Sequence, residues 1–167
     1  MGAFFYTMEA KPNITRYIWI APLVIAAAVF YSTFSRTVYI GDSGEFSLVL
    51  ETLGIAHPPG YPLFTMLGRL FLMLTPFLPP AFSANLFNVI FALTVIPVIF
   101  FLLHGRKYPL IAAGLCLVWV FSSSSWGGSA GVEVYHLNLL IFALIALAAL
   151  SQYSRKWLVV FYLLGLG

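Results

Sequence analysis

"LFTMLGRLFLMLTPF", residues 63–77, decides how this chain is built. It is apolar on nearly every side, yet only 13 residues lie between Pro62 and Pro76, the first of the breakers Pro76, Pro79 and Pro80, and Arg69 sits at their centre. A segment this short that carries an arginine suits an interfacial or re-entrant helix, not a span of the roughly 20 residues a bilayer requires. A bilayer is nonetheless the solvent that the composition demands. Of 167 residues, 62% are hydrophobic and 8% charged, against about 25% charged in an average soluble domain. No water-soluble fold of this length hides so much apolar surface, so the chain reads as an all-α polytopic membrane protein.

Outward from that stretch, hydropathy marks four longer runs: Tyr17–Phe34, Ala84–Leu103, Leu110–Trp126 and Val134–Leu150. The first has 18 residues and reaches ~27 Å as a helix, just enough to cross. A fifth run starts at Trp157 and continues for 11 residues to Gly167, too short to cross, so residues 1–167 read as the amino-terminal part of a longer transmembrane domain. Charge then orients the chain. If residues 63–77 stay on the outer surface, Lys11, Arg16, Arg106, Lys107, Arg155 and Lys156 all face the cytoplasm, while Asp42, Glu45, Glu51 and Glu133 face outward. If they cross, residues 104–107 move outside and the asymmetry is lost. The expectation is a cytoplasmic N-terminus, an uncleaved first anchor, an outer loop over residues 36–83 holding two short surface helices, and three further spans. A bacterial inner membrane and the endoplasmic reticulum both suit this arrangement.

The outer loop holds the chemistry. "GDSGEFSLVLETLGIAHPPGYPLF", residues 41–64, contains three of the five acidic residues, one of three histidines and three of ten prolines. Phe46, Val49, Leu50 and Leu53 recur at i, i+3, i+4, i+7, which predicts a helix over Ser43–Leu53 with Gly54 as the residue that ends it. Pro62 suits the first position of the next helix. Asp42 falls at an N-cap with Glu45 three residues on, the spacing of a capping box. Capping and chemistry are compatible, because a helix N-terminus holds a carboxylate oriented and ionised, as a general base or a metal ligand requires. Prolines stiffen the backbone around His57, and Arg36 and Arg69 flank the same loop; such cations suit a lipid phosphate. Arg36 reads equally as a snorkelling residue and His57 as a plain interfacial one. Glu133 and His136 share a helical face at the head of the fourth run. Asn85 and Asn88 read as interhelical hydrogen-bonding residues. The lone Cys116 has no partner for a disulfide, and no basic patch points to nucleic acid.

"GDSGEF", then "GIAHPPGYPLF", "NLFN" and "VEVYHLN", taken together, resemble the membrane glycosyltransferases of the GT-C superfamily, in particular the branch that includes the animal O-mannosyltransferase acting on plexin ectodomains. The layout is also similar to protein O-mannosyltransferases and aminoarabinose lipid A transferases. The resemblance covers Tyr17 to Leu150 and implies GT-C-like transmembrane helices. It implies an inverting enzyme that takes a sugar, such as mannose, from a polyprenyl-phosphate donor to a protein, lipid or glycan hydroxyl at the bilayer surface. Asp42 takes the place of the catalytic or metal-associated acid, with Glu45 as its companion. His57 stands where relatives often carry a lysine that contacts the lipid phosphate, and Arg69, Arg36 and Tyr61 are the further substrate-binding candidates of the same loop. Glu133 stands where several relatives have a second acid, and His136 lies beside it. A divalent cation, if one is used, would draw on Asp42 and Glu133. Two other readings stand beside this one: a transporter or channel, and a non-catalytic membrane remnant.

Overall fold

The computed structural model describes residues 17–103 and 107–150, together with Val159, Val160 and Leu163. Lys11, Arg16, Arg106, Arg155, Lys156 and all but three residues of the run from Trp157 lie outside the described residues. The described chain is helical, with α1 Ile20–Thr33, α2 Ser43–Thr52, α3 Pro62–Leu74, α4 Pro80–Leu102, α5 Pro109–Val120, α6 Ser123–Ser129 and α7 Tyr135–Leu150; no strand occurs among these residues.

α4 is the hub and touches each of the other described helices. Two apolar stripes on it explain this. Ala84 and Phe87 join a core with Phe46 and Leu50 of α2, Phe64 of α3, and Leu137 and Ile141 of α7. Val89, Ala92, Ile96 and Phe100 join a second core with Ala26 and Phe30 of α1 and with Cys116 and Val120 of α5. The stripes start five positions apart, about 140° around the helix, so α4 separates the two cores.

By length and composition α4, at 23 residues, is the one described helix able to cross a membrane unaided. The first expected span is shorter than its hydropathy: α1 has 14 residues, because Tyr17–Trp19 form a tight turn and Phe34 swings to extended backbone with ψ 148°. The run 110–126 is not one straight rod but α5 and α6, bent by 59° at the break. Ser122 causes it. Its backbone is extended, its hydroxyl donates to the Trp119 carbonyl at 2.7 Å, and its Oγ accepts the Ser125 amide at 3.2 Å. One serine thus closes α5 and caps α6.

The loop helices form where the periodicity puts them, with one difference. α2 ends at Thr52, and the left-handed residue is Leu53 with φ 55°, not Gly54. The amides of Leu53 and Gly54 both reach back to the Val49 carbonyl, and the second bond closes only with Leu53 itself in the left-handed turn. Phe46, Val49 and Leu50 are buried as expected, while Leu53 is exposed. α2 packs tightly on α3: a side chain at Gly68 would collide with Leu50. Pro62 opens α3, and Thr75 closes it ahead of Pro76.

Asn85 and Asn88, both buried at the head of α4, bind loops and not only helices. Asn85 Nδ2 donates to the carbonyls of Ser35 and Thr37, and its Oδ1 accepts the Val132 amide at 2.8 Å. Asn88 Nδ2 donates to the carbonyls of Gly128 and Gly131. Two amides thereby fasten the α1–α2 connection and the α6–α7 connection to the longest helix.

Candidate functional site

The first turn of α2 presents Asp42 and Glu45, and neither caps it. Asp42 stands at the N-cap position, exposed, with helical φ of −77° and no side-chain capping bond. The capping-box geometry fails because Glu45 is used elsewhere. Its Oε1 accepts the His57 backbone N–H at 2.6 Å, and its Oε2 lies 3.0 Å from His57 Nδ1. A carboxylate on both groups is bidentate and fixes the ring. With Glu45 ionised, Nδ1 carries the hydrogen and Nε2 is left pointing away from the pair. The rings of Phe46 and Tyr61 hold the imidazole from two sides, each with its centroid 5.6 Å away. Tyr61 itself sits in the left-handed region, φ 48°, immediately before Pro62.

The pair shifts both titrations. The hydrogen bonds from His57, side chain first and backbone second, hold the Glu45 carboxyl below its ordinary range. Glu45, foremost through its side-chain hydrogen bond, pushes His57 up, and the charges of Asp42 and Glu133 add to it. Glu133, half-buried ahead of α7, is raised by burial first and then by the Asp42 charge, while His57 opposes the rise. These mutual fields place Asp42, Glu45, His57 and Glu133 in one electrostatic group.

Glu133 also belongs to a cavity of about 590 Å³, bounded by Tyr39 and Ile40, the α5–α6 bend and the head of α7. His136 lines it, with Nδ1 3.1 Å from Asn88 Oδ1 and its ring edge-on to Trp119. Gly131 lets the Tyr39 ring come close: a Cβ there would lie 2.7 Å from the tyrosine Cβ.

The arginines are not part of the group. Arg36 donates to the Tyr31 carbonyl at 2.9 Å and lies over the rings of Phe34 and Tyr31, an aromatic seat at the end of α1. Arg69 donates to the Glu51 carbonyl in the last turn of α2. That is nine residues along the helix from Asp42, ~13.5 Å, so Arg69 closes the far end of the same helix. Among the described residues no three His, Cys, Asp or Glu side chains converge as a ligand set. Asp42 and Glu133 alone do not make a cation cage, and no catalytic step is assigned to a metal.

Sequence reasoning found Asp42, Glu45, His57 and Glu133 through their clustering in an oily chain. It missed Tyr39, Trp119 and Ser125, which line the cavity with Glu133. The one available signal was the run Ser122–Ser125, four hydroxyls inside an apolar stretch.

Residues 42–167 match the family described as protein O-mannosyl-transferase TMEM260 N-terminal domain. Over 130 residues the chain is 38% identical to the mouse protein O-mannosyl-transferase TMEM260, covering 75% of this chain and 18% of that protein. The corresponding protein of Dictyostelium discoideum is 29% identical over 130 residues, 74% of this chain and 16% of its own length. The chain therefore spans less than a fifth of the length of either relative. No solved structure matches it significantly. The family match begins at Asp42 and takes in the Glu45–His57 pair, the bend at Ser122 and Glu133, and the chain belongs to the TMEM260 N-terminal domain family.

Proposed function

We propose that this chain is the catalytic-loop part of a multi-pass glycosyltransferase of GT-C type. The reaction is transfer of a mannosyl group from a polyprenyl-phosphate donor to a protein hydroxyl at the outer or luminal membrane face. The carrying observation is the meeting of an exposed carboxylate, a glutamate-held histidine and a half-buried carboxylate beside a cavity. The names of the mouse and Dictyostelium relatives support the sugar and the protein acceptor. In this reading residues 36–83 lie outside, the N-terminus is cytoplasmic, and α1, α4, the α5–α6 pair and α7 cross the bilayer.

The acceptor oxygen attacks the anomeric carbon from the face opposite the lipid phosphate. Asp42 takes the hydroxyl proton, and the bond from the anomeric carbon to phosphate oxygen breaks with its electron pair on the departing phosphate. Configuration at that carbon inverts. His57, whose cationic form Glu45 favours, offers Nε2–H to the phosphate, whose growing charge it stabilises. Among the described residues Arg36 and Arg69 are engaged with ring faces and a helix end, and His57 is the cation beside the carboxylates.

The test uses membranes carrying the full-length parent, a panel of polyprenyl-phosphate sugars and a hydroxyl-bearing protein acceptor. Mannosyl product of inverted configuration should appear with free lipid phosphate in equal amount. Transfer from a nucleotide sugar alone, or product of retained configuration, would overturn the reading.

A further inference from the structure

The cavity of about 590 Å³ at the α5–α6 bend has a specific chemistry. Its size lies within the roughly 300–1,000 Å³ of small-molecule sites. Glu133 is the only charged group that lines it among the described residues, and no lysine or arginine does. A phosphate, nucleotide or carboxylate ligand would meet repulsion there. The wall combines the aromatic rings of Tyr39, Trp119 and Tyr135 with serine hydroxyls of α6. Ser125 adds a decisive detail. It is 2% exposed, lines the cavity, and its Oγ has no hydrogen-bond partner. A buried hydroxyl left unsatisfied is costly, and such groups in native proteins mark a missing partner.

We propose that this cavity is a subsite for a neutral pyranose ring. Ser125 Oγ and the Glu133 carboxylate bond ring hydroxyls, and the aromatic wall takes the apolar face of the sugar. The inference rests on the glycosyltransferase reading and sharpens it, because it orients the donor: sugar in the cavity, phosphate outside it toward His57. Glu133 joins the two regions: it lies in the cavity wall and within reach of the Asp42 and His57 charges, while no lysine or arginine lines the cavity.

Gly127 supplies a clean test. It lines the cavity, and a Cβ built on it meets nothing within 4 Å, so Gly127→Leu fills ligand space without straining the helix. Gly114 is equally open but does not line the cavity, so Gly114→Leu serves as the control. Ser125→Ala removes the orphan hydroxyl and should leave the fold at least as stable, because nothing bonded to it is lost. In the full-length parent, binding of polyprenyl-phosphate mannose, of sugar-free polyprenyl phosphate and of methyl α-mannopyranoside would be measured alongside turnover. Gly127→Leu should weaken both sugar-bearing ligands by roughly tenfold or more and Ser125→Ala by about fivefold. Sugar-free lipid phosphate should be held within about twofold by both variants. Equal loss of the sugar-free lipid, or unchanged binding of the mannoside by Gly127→Leu, overturns the subsite even if the parent turns over. If the parent transfers no lipid-linked sugar, the transferase reading falls, and the subsite is judged on the mannoside alone. Failure of the parent to bind mannoside then overturns it, and binding lost in Gly127→Leu supports it.

Discussion

Asp42 and Glu45 occupy neighbouring corners of one helical turn but answer to different physics. The Asp42 side chain makes no capping bond, so Asp42→Asn withdraws a charge and little else. Thermal melts of the full-length variant should move by no more than about 0.5 kcal/mol of stability, while turnover should fall by about 10²–10⁴. Near-normal turnover would remove Asp42 from the reaction and direct attention to Glu133. Glu45 acts through His57. The raised histidine contributes stability that is complete below its unfolded pKa and is lost as pH rises through its folded one; the lowered glutamate contributes stability present above its unfolded pKa and lost as pH falls through its folded one. The pair therefore holds the 53–61 loop best between the ordinary carboxylate and imidazole ranges, and weakens on the alkaline side once His57 deprotonates. If His57⁺ meets the donor phosphate, kcat/KM for the donor falls along the same alkaline limb. Glu45→Gln should move that limb to lower pH and leave its acid side in place. A pH–rate profile with an unmoved alkaline limb would separate Glu45 from the histidine.

At the scale of elements, what could be read was what depends on near neighbours. The i, i+3, i+4, i+7 stripe of α2 and Pro62 at the start of α3 are local, and both helices lie where those signals put them. What escaped depends on partners distant in sequence. Glu45 leaves its own helix for a residue twelve positions on, and no spacing rule distinguishes that from a capping box. Asn85 and Asn88 bind carbonyls 40 or more positions away. Arg69 finds a backbone carbonyl 18 positions back. The bend at Ser122 was local and still missed, because hydropathy weighs the serines by polarity and not by their ability to cap. Two changes test the element-level account. Leu53 is exposed and left-handed, so Leu53→Gly should relieve backbone strain and raise stability by roughly 0.5–1 kcal/mol in a denaturation series. Asn88→Ala strips partners from Gly128, Gly131 and His136. It should cost about 2 kcal/mol or more, with the loss of hydrogen-exchange protection centred on residues 128–136.

On the scale of the whole molecule, the arrangement of apolar surface has to be reconciled with one long helix. α4 divides two cores, and α1, α5 and α7 turn large apolar side chains outward around it, among them Val24, Leu110, Val118 and Phe142. Water would penalise such a rim at about 25 cal/mol per Å², whereas lipid would not, which is why the shorter helices are expected to cross beside α4. Segments next to the site residues are tied to one end of α4: the bonds of Asn85 and Asn88 hold residues 35–37 and 128–132 to its first three turns. Lys107 lies past the opposite end. If α4 spans, the loop over residues 36–61 and Lys107 must face different sides, with the basic residue inside. Ile55 is 90% exposed in the loop between α2 and α3, and Lys107 is exposed beyond α4. Each can therefore be made a single cysteine in a Cys116→Ala background. An impermeant maleimide added to sealed cells or vesicles of known orientation should label Ile55→Cys from the outer or luminal side, and Lys107→Cys only after the membrane is opened. Labelling of both from the same side would mean that α4 does not cross, and would remove the outward-facing reaction together with the topology.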